Sequence, residues 1–141
     1  KAMIEIDEFD TGPRNVFNYG HTFGHAIEAA TNYAIPHGLA VAYGMDLAHI
    51  LSAKLGFIDM RLRNEIRPML EVIFSAVELP PIDIEIYYDA LSRDKKNIGS
   101  EIKVILTRGL GDMFKTTLEL DKDVDSIIRD YFQLQLYSQS L

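Results

Sequence analysis

The stretch NYGHTFGHAIEAATNYAIPHG, residues 18–38, contains three of the four histidines in the 141-residue chain. On a helix, His21, His25 and Glu28 occupy positions i, i+4 and i+7 and therefore share one face. His37 follows a proline, where the chain can reverse and begin a second helix that packs against the first. Two imidazoles brought together at such a junction suit a borderline divalent cation such as zinc, with a carboxylate or water completing the shell.

The spacing alone leaves a second interpretation open, in which each histidine lies on a helix surface or in the core with a backbone partner. The stretch also lacks the H-E-x-x-H pattern of zinc proteases, because Thr22, Phe23 and Gly24 separate the first two histidines and Ala26 follows the second. Proteolysis by a metal-bound hydroxide is therefore disfavoured.

Four glycines surround the histidines. A glycine inside a helix costs on the order of 1 kcal/mol relative to alanine, so we expect a neighbouring helix or a ligand to approach closely there. Tight helix packing without a ligand is the other explanation. The four are Gly20, Gly24, Gly38 and Gly44.

Outward from this stretch, the pattern predicts a mainly α, bundle-like multi-helix domain with one small β-hairpin. The first helix begins near Asn18 and ends by Ile35, since proline disfavours helical geometry in the residue before it. The second helix is apolar nearly all round and should be buried. Pro68 should kink or break the third. The further predicted helices span residues 38–56, 59–77, 83–97 and 121–136, and the predicted strands span 101–107 and 112–120 around the turn RGLG.

Composition excludes several classes of protein. The net charge is −7 and cationic residues do not alternate with aromatic ones, so nucleic acid is not an expected partner. No apolar run approaches the roughly 18 residues of a membrane span. The chain has no cysteine, so any metal must be held by imidazole and carboxylate groups, and the cytoplasm is the expected location. The length predicts a single domain, residues 1–141.

Cationic residues flank the histidines on both sides in the sequence. Arg14 and Asn18 lie just upstream, and an arginine fork suits a phosphate or a carboxylate. The run RDKKN contains Lys95 and Lys96 at the predicted end of a helix. That run is either a solvated helix terminus or a second anion-binding arm that folds back over the histidines.

Three blocks carry a resemblance to a known family: DEFDTGPRNVFNYGHTFGHAIEA, PHGLAVAYGM and RDKKNIGSEIKVIL…GLG. Together they resemble the C-terminal domain of 3-dehydroquinate synthase, within the sugar-phosphate cyclase superfamily, over residues 1–112. The resemblance implies that His21 and His37 are metal ligands for zinc or cobalt, joined by a glutamate of another domain. It implies a proton-transfer role for His25. The implied substrate-binding residues are Lys1, Arg14, Asn18 and one of Lys95 and Lys96, with Arg14 and Asn18 also grouped with the catalytic residues.

The implied reaction belongs to the shikimate pathway of aromatic amino acid biosynthesis. A seven-carbon sugar-acid phosphate, 3-deoxy-arabino-heptulosonate 7-phosphate, becomes 3-dehydroquinate with loss of phosphate and transient oxidation by NAD. An N-terminal domain would bind the NAD. Since the chain has no G-x-G-x-x-G motif between a strand and a helix, we expect it to be the C-terminal domain alone, excised or separately expressed and inactive by itself. A homodimer is compatible with it.

Alternatives to this function stay open. Many 3-dehydroquinate synthases have H-G-E-A-V where this chain has HGLAV, so Leu39 allows a cyclase of secondary metabolism with a different sugar phosphate. A non-catalytic helical scaffold or dimerisation module would use the histidines structurally. A related polyol dehydrogenase would share the architecture, but the arginine and the lysine pair favour an anionic substrate.

Overall fold

A computed structural model of the chain describes residues 19–93, 101–109 and 112–140. Within these ranges the chain forms five helices and one antiparallel hairpin, which confirms the predicted mainly helical fold. None of the described helices is long and apolar enough to cross a membrane. In chain order the elements are α1 (His21–Ala30), α2 (His37–Lys54), α3 (Met60–Phe74), α4 (Ile84–Arg93), β1 (Glu101–Thr107), β2 (Met113–Glu119) and α5 (Lys122–Ser140).

Helix α2 lies at the centre of the domain, because α1, α3, α5 and the hairpin all pack against it. Its apolar character on nearly every side predicted a buried helix, and 11 of its 18 residues are buried. Leu47 and Leu51 are inaccessible to solvent and share one hydrophobic core with Phe23 and Ile27 of α1 and Ile128 of α5. The position of α2 therefore determines where the other helices lie.

Three helices begin after an aspartate that caps them. The side chains of Asp59, Asp83 and Asp121 accept hydrogen bonds from backbone N–H groups in the first turns of α3, α4 and α5, at 2.8, 3.0 and 2.9 Å. These bonds satisfy donors that have no partner inside the helix. The three helices accordingly begin within one residue of their predicted starts.

Helix α1 is shorter than the predicted span of residues 18–35. Gly20 has a φ of 83°, in the left-handed region, so the helix begins only after it. Asn32 and Tyr33 have φ values of 54° and 58° and turn the chain away from the helical path before Pro36 is reached. Pro36 set only the latest position at which the helix could end, and the helix ends earlier, at Ala30.

Helix α3 runs through Pro68 without interruption, so of the predicted kink or break at that residue the break is wrong. Pro68 cannot donate a hydrogen bond to the carbonyl of Asn64, but both residues are exposed and water can solvate that carbonyl. The helix ends at Phe74, before the predicted end at residue 77. Helix α5 extends past the predicted residue 136, and the predicted continuation of α4 through residues 94–97 lies outside the described residues.

The hairpin confirms the two predicted strands. Ile102 pairs with Leu118 and Leu106 pairs with Phe114, so four buried side chains share the face that belongs to the core. At the end of β1, the N–H of Thr107 donates to the hydroxyl of Ser52 in α2 at 3.1 Å. This bond fixes the hairpin against the central helix.

A buried ion-pair network joins α2, α3 and α5. Asp46 of α2 is inaccessible to solvent and accepts hydrogen bonds from Arg63 Nε at 2.9 Å, Arg67 Nη1 at 2.6 Å and the Tyr131 hydroxyl at 2.8 Å. A buried carboxylate is stable only when it is paired and hydrogen-bonded in this way. The network therefore constrains the relative positions of three helices that are distant in the sequence.

Candidate functional site

The backbones of α1 and α2 touch at three of the four glycines. A Cβ atom on Gly44 would lie 2.1 Å from the Gly20 carbonyl oxygen, and one on Gly24 would lie 3.0 Å from Val41 Cα. The predicted close approach of a neighbouring helix is therefore confirmed at these glycines. It is wrong for Gly38, where an added Cβ would meet no atom of the described residues within 4 Å.

A tight turn reverses the chain between the two helices. The N–H of Tyr33 donates to the Glu28 carbonyl at 2.7 Å, and the Thr31 hydroxyl donates to the Ile27 carbonyl at 3.0 Å. These bonds satisfy carbonyl groups at the end of α1 that have no partner inside the helix. The reversal places His37, the first residue of α2, beside the histidines of α1.

Tyr19 fixes the start of α1 from inside the core. Its side chain is inaccessible to solvent, and its ring centroid lies 5.2 Å from that of His49 in α2. Burial raises the pKa of the Tyr19 hydroxyl far above its usual value, so this group stays neutral. Tyr19, which immediately precedes Gly20, therefore anchors the backbone where the histidine face of α1 begins.

The three histidines form a compact triangle. The ring centroids of His21 and His25 are 5.4 Å apart, those of His21 and His37 are 5.4 Å apart, and those of His25 and His37 are 5.8 Å apart. The rings of His21 and His37 are stacked, with an interplanar angle of 18°. His25 and His37 are exposed and His21 is half-buried. The expected convergence of the imidazoles across the helix junction is present.

A carboxylate completes the cluster. Glu28 Oε1 lies 3.1 Å from His37 Nδ1, and potential ligand atoms of His25, Glu28 and His37 all lie within 4.8 Å of one another. Imidazole nitrogens suit zinc or cobalt, and a carboxylate beside them can serve as a further ligand or orient an imidazole, so the cluster fits a divalent transition metal. The sequence placed Glu28 on the histidine face but did not identify it as a site residue. Its spacing, three residues after His25, was the available indication.

Comparison with known proteins identifies the family. Residues 1–97 match the family described as 3-dehydroquinate synthase C-terminal. The chain belongs to this family. Its relatives include the 3-dehydroquinate synthase of Dictyoglomus turgidum, 37% identical over 131 residues, and that of Roseobacter denitrificans, 38% identical over 138 residues. Each alignment covers 92% of this chain and 37% of the relative, so the chain spans little more than a third of these 3-dehydroquinate synthases.

Solved structures of sugar-phosphate cyclases share the fold of this 3-dehydroquinate synthase C-terminal domain. A 2-deoxy-scyllo-inosose synthase complexed with carbaglucose-6-phosphate, NAD+ and Co2+ has a TM-score of 0.71 at 23% identity, covering 90% of this chain and 37% of that one. A second structure of 2-deoxy-scyllo-inosose synthase has a TM-score of 0.67 at 26% identity, covering 88% and 34%. The domain therefore has the fold of the corresponding part of these two synthases.

The other predicted site residues of this 3-dehydroquinate synthase domain are cationic or amide side chains. The structure brings the three predicted histidines together. The five cationic or amide residues named at the end of this paragraph lie outside the part of the chain that it describes. Their assignment to the substrate stays a prediction. They are Lys1, Arg14, Asn18, Lys95 and Lys96.

The departure from the common H-G-E-A-V pattern falls in the core of the domain. Leu39 is in the first turn of α2, is 3% exposed and belongs to the hydrophobic core. His37, two residues earlier in the sequence, is exposed. Leu39 therefore contributes to the packing beneath the histidine cluster.

Proposed function

We propose that this chain is the metal- and substrate-binding C-terminal domain of a 3-dehydroquinate synthase. The complete enzyme would convert 3-deoxy-arabino-heptulosonate 7-phosphate to 3-dehydroquinate with elimination of phosphate. The observation that carries the proposal is the convergence of His21, His25 and His37 at the junction of α1 and α2 in a chain of this family.

Two of the histidines would hold the metal. His21 and His37 come from different helices, and the backbone contact at Gly44 sets the distance between those helices. A glutamate from a separate domain would supply the remaining protein ligand. When bound, zinc or cobalt supplies a Lewis acid that polarises a substrate hydroxyl.

His25 would transfer protons. It is exposed, one helical turn from His21, and its ring centroid is 5.8 Å from that of His37. A neutral imidazole at this edge can accept a proton from a substrate hydroxyl and later return it. The phosphate of the substrate would lie close to this side chain.

The cationic residues would bind the anionic ends of the substrate. Because the chain carries a net charge of −7, a sugar-acid phosphate needs local positive charge for binding. Arg14 offers a planar fork to phosphate or carboxylate, and Asn18 can orient a hydroxyl. Lys1 and one lysine of the pair Lys95 and Lys96 would supply further positive charge. Orientation by these groups would provide part of the catalytic effect.

The redox cofactor would belong to another part of the enzyme. NAD would oxidise a substrate hydroxyl transiently, and an N-terminal NAD-binding domain would hold it. The chain aligns with 37% of the length of the Dictyoglomus turgidum relative, which is consistent with a separate domain for NAD in that enzyme. We expect the 141-residue chain alone to bind metal without turnover, and we expect the enzyme in the cytoplasm. A homodimer stays a prediction.

A second candidate is a cyclase of secondary metabolism with a different sugar phosphate. The likeness to a 2-deoxy-scyllo-inosose synthase at 26% identity supports it. A third candidate, a non-catalytic helical module, would not need an accessible histidine triangle. The two enzymatic candidates differ in their substrate, and the non-catalytic module differs from both because it would bind no metal.

Product analysis of the full-length protein separates the two enzymatic candidates. The protein is incubated with NAD, Co2+ and either 3-deoxy-arabino-heptulosonate 7-phosphate or glucose 6-phosphate, and released phosphate and cyclic product are measured. We expect turnover of the seven-carbon acid phosphate only. Turnover of glucose 6-phosphate alone would replace the leading proposal with the second candidate.

Metal titration of the chain tests the histidine assignment. We expect Co2+ to bind, and His21→Ala or His37→Ala to lower the affinity at least about tenfold in calorimetry, because each removes a ligand. His49→Phe, in the core, is the matched control and should leave the affinity unchanged. Absence of Co2+ binding, or a Co2+ affinity that is unchanged in His21→Ala and His37→Ala, would support the non-catalytic module.

A further inference from the structure

We infer that Glu28 is a positioning residue for His37, and that its carboxylate holds the imidazole in the tautomer whose Nε2 is free to bind a cation. The inference rests on the proposed function in that it treats His37 as a metal ligand. It adds a role for Glu28, which acts through His37.

The first observation is the direct contact between the two side chains. Glu28 Oε1 and His37 Nδ1 are 3.1 Å apart, within hydrogen-bonding range. An ionised carboxylate can only accept hydrogen bonds, so the imidazole must donate through Nδ1–H. In a neutral imidazole that proton on Nδ1 leaves the lone pair on Nε2, the nitrogen on the far side of the ring.

The second observation is the difference in exposure. The Glu28 side chain is 13% exposed, whereas the His37 side chain is 55% exposed. The carboxylate is therefore the more buried partner and the imidazole the more accessible one. A metal approaching from solvent would meet the imidazole first, which is the order expected of an outer partner that orients a ligand.

The third observation is the position of Glu28 in α1. The residue lies in the last turn of the helix, where the helix dipole is unfavourable for a carboxylate. A partly buried negative charge at that end requires a donor or a cation nearby. His37 supplies the donor, and a metal on the far nitrogen would strengthen its positive character.

The fourth observation is that both partners are held in place. The Glu28 carbonyl accepts from Tyr33 N at 2.7 Å and shares the Thr31 hydroxyl proton, at 3.1 Å, with the Ile27 carbonyl, so the turn itself is bonded to this residue. The His37 ring is stacked on His21 at 18°. A half-turn of the His37 ring would keep the stacking but lose the hydrogen bond, and a quarter-turn would lose both, so the hydrogen bond makes one orientation preferred.

The test uses the wild-type chain and two variants, Glu28→Ala and Glu28→Gln. Glutamine keeps an oxygen that can accept from Nδ1–H but has no charge, whereas alanine removes the acceptor. Nitrogen NMR of the metal-free chain at pH 8.5, about two units above the ordinary imidazole pKa, reports which His37 nitrogen carries the proton. Glu65→Ala, an exposed residue of α3, is the matched control, and circular dichroism checks that each variant folds.

We expect the Nδ1–H tautomer of His37 in the wild type and in Glu28→Gln, and its loss in Glu28→Ala. Co2+ affinity should fall in the order wild type, Gln, Ala, with a loss of about 10–100-fold for alanine. The control should match the wild type in both measurements. A wild-type His37 protonated on Nε2, or a folded Glu28→Ala variant with unchanged tautomer and Co2+ affinity, would overturn the inference.

The two measurements also separate this inference from the proposed function. The tautomer is read without metal, so it tests Glu28 even if Co2+ binds elsewhere. If His21→Ala and His37→Ala leave Co2+ binding unchanged while the tautomer depends on Glu28, the metal assignment fails and the hydrogen-bonding role of Glu28 stands. If Co2+ binding requires both histidines but the His37 tautomer is unchanged in Glu28→Ala, only the inference about Glu28 fails.

Discussion

His49 differs from the three site histidines because it is buried in the core. It is 5% exposed, and its Nδ1 has no hydrogen-bond partner among the described residues. Burial lowers the pKa of His49, and the nearby Asp46 carboxylate opposes this effect only in part. The folded chain therefore keeps this imidazole neutral at a pH where an exposed histidine would be charged.

The lowered pKa of His49 predicts a loss of stability in mild acid. The unfolded chain takes up a proton on His49 near its ordinary pKa of 6.5, whereas the folded chain takes it up only at lower pH. The stability from this residue is therefore complete above about pH 6.5 and falls as the pH drops toward the folded pKa. Urea unfolding between pH 8 and pH 5 should show a steeper decline for the wild type than for His49→Phe.

A variant that lacks a different histidine but keeps the buried His49 provides the comparison. His25→Asn removes an exposed histidine and should leave the decline as steep as in the wild type. Parallel curves for the wild type and His49→Phe would show that burial of this imidazole does not contribute to the acid response.

At the scale of elements, the contact between α1 and α2 determines the geometry of the histidine triangle. Two histidines come from α1 and one from α2, so any change in the distance between these helices moves the rings apart. The contact is made by backbone at Gly20 and Gly44, which leaves no room for a side chain. Stability and metal binding should therefore fail together when this contact is disturbed.

Gly44→Ala tests this coupling. Its Cβ would lie 2.1 Å from a backbone carbonyl oxygen, so the helices must separate. We expect a loss of about 3 kcal/mol or more in the free energy of unfolding, the upper end of the overpacking range, and weaker Co2+ binding. Denaturant titration and calorimetry measure the two effects.

Gly38→Ala is the matched control in the same helix. Within the part of the chain that the structure describes, its Cβ would meet nothing within 4 Å, and alanine is a better helix former by about 1 kcal/mol at most. The variant should be as stable as the wild type or slightly more stable. Equal losses for the two alanine variants would contradict the role assigned to the backbone contact.

At the scale of the whole molecule, the ion-pair network of Asp46 connects helices from the middle and the end of the chain. Tyr131, 85 residues away from Asp46 in the sequence, donates to its carboxylate from α5. The two arginines of the network are partly exposed, at 18% and 16%, but the carboxylate is not. Removing the carboxylate would leave two guanidinium groups without their buried partner.

Asp46→Ala should therefore be strongly destabilising. We expect a loss of about 3–5 kcal/mol in the free energy of unfolding, the range for breaking a buried ion pair by removing one partner. Tyr131→Phe removes one hydrogen bond to the carboxylate and should cost about 1.5–3 kcal/mol. Chemical denaturation at neutral pH measures both.

The exposed pair of Arg108 and Asp112, with its charged atoms 3.5 Å apart, provides the control. Asp112→Ala should change the stability by no more than about 1 kcal/mol, because solvent screens a surface pair. A similar loss for Asp46→Ala would mean that the buried network has little net effect on stability.

Several local features of the molecule could be predicted from the sequence. Helices α3, α4 and α5 begin within a residue of their predicted starts, because Asp59, Asp83 and Asp121 cap helices through contacts a few residues away. The strands and the shared face of His21 and His25 follow from periodicity in the same way. All these features depend on neighbours along the chain.

The local sequence pattern is enough to predict the helical fold, the hairpin and a face of α1 that carries two imidazoles and a carboxylate. Packing between elements decides that Glu28 bonds to His37, that Gly44 but not Gly38 has a close neighbour among the described residues, and that Asp46 pairs with α3 and α5. The physical reason is that periodicity and capping act over one or two helical turns. Contacts between elements depend on the distances and angles that packing of the whole core sets.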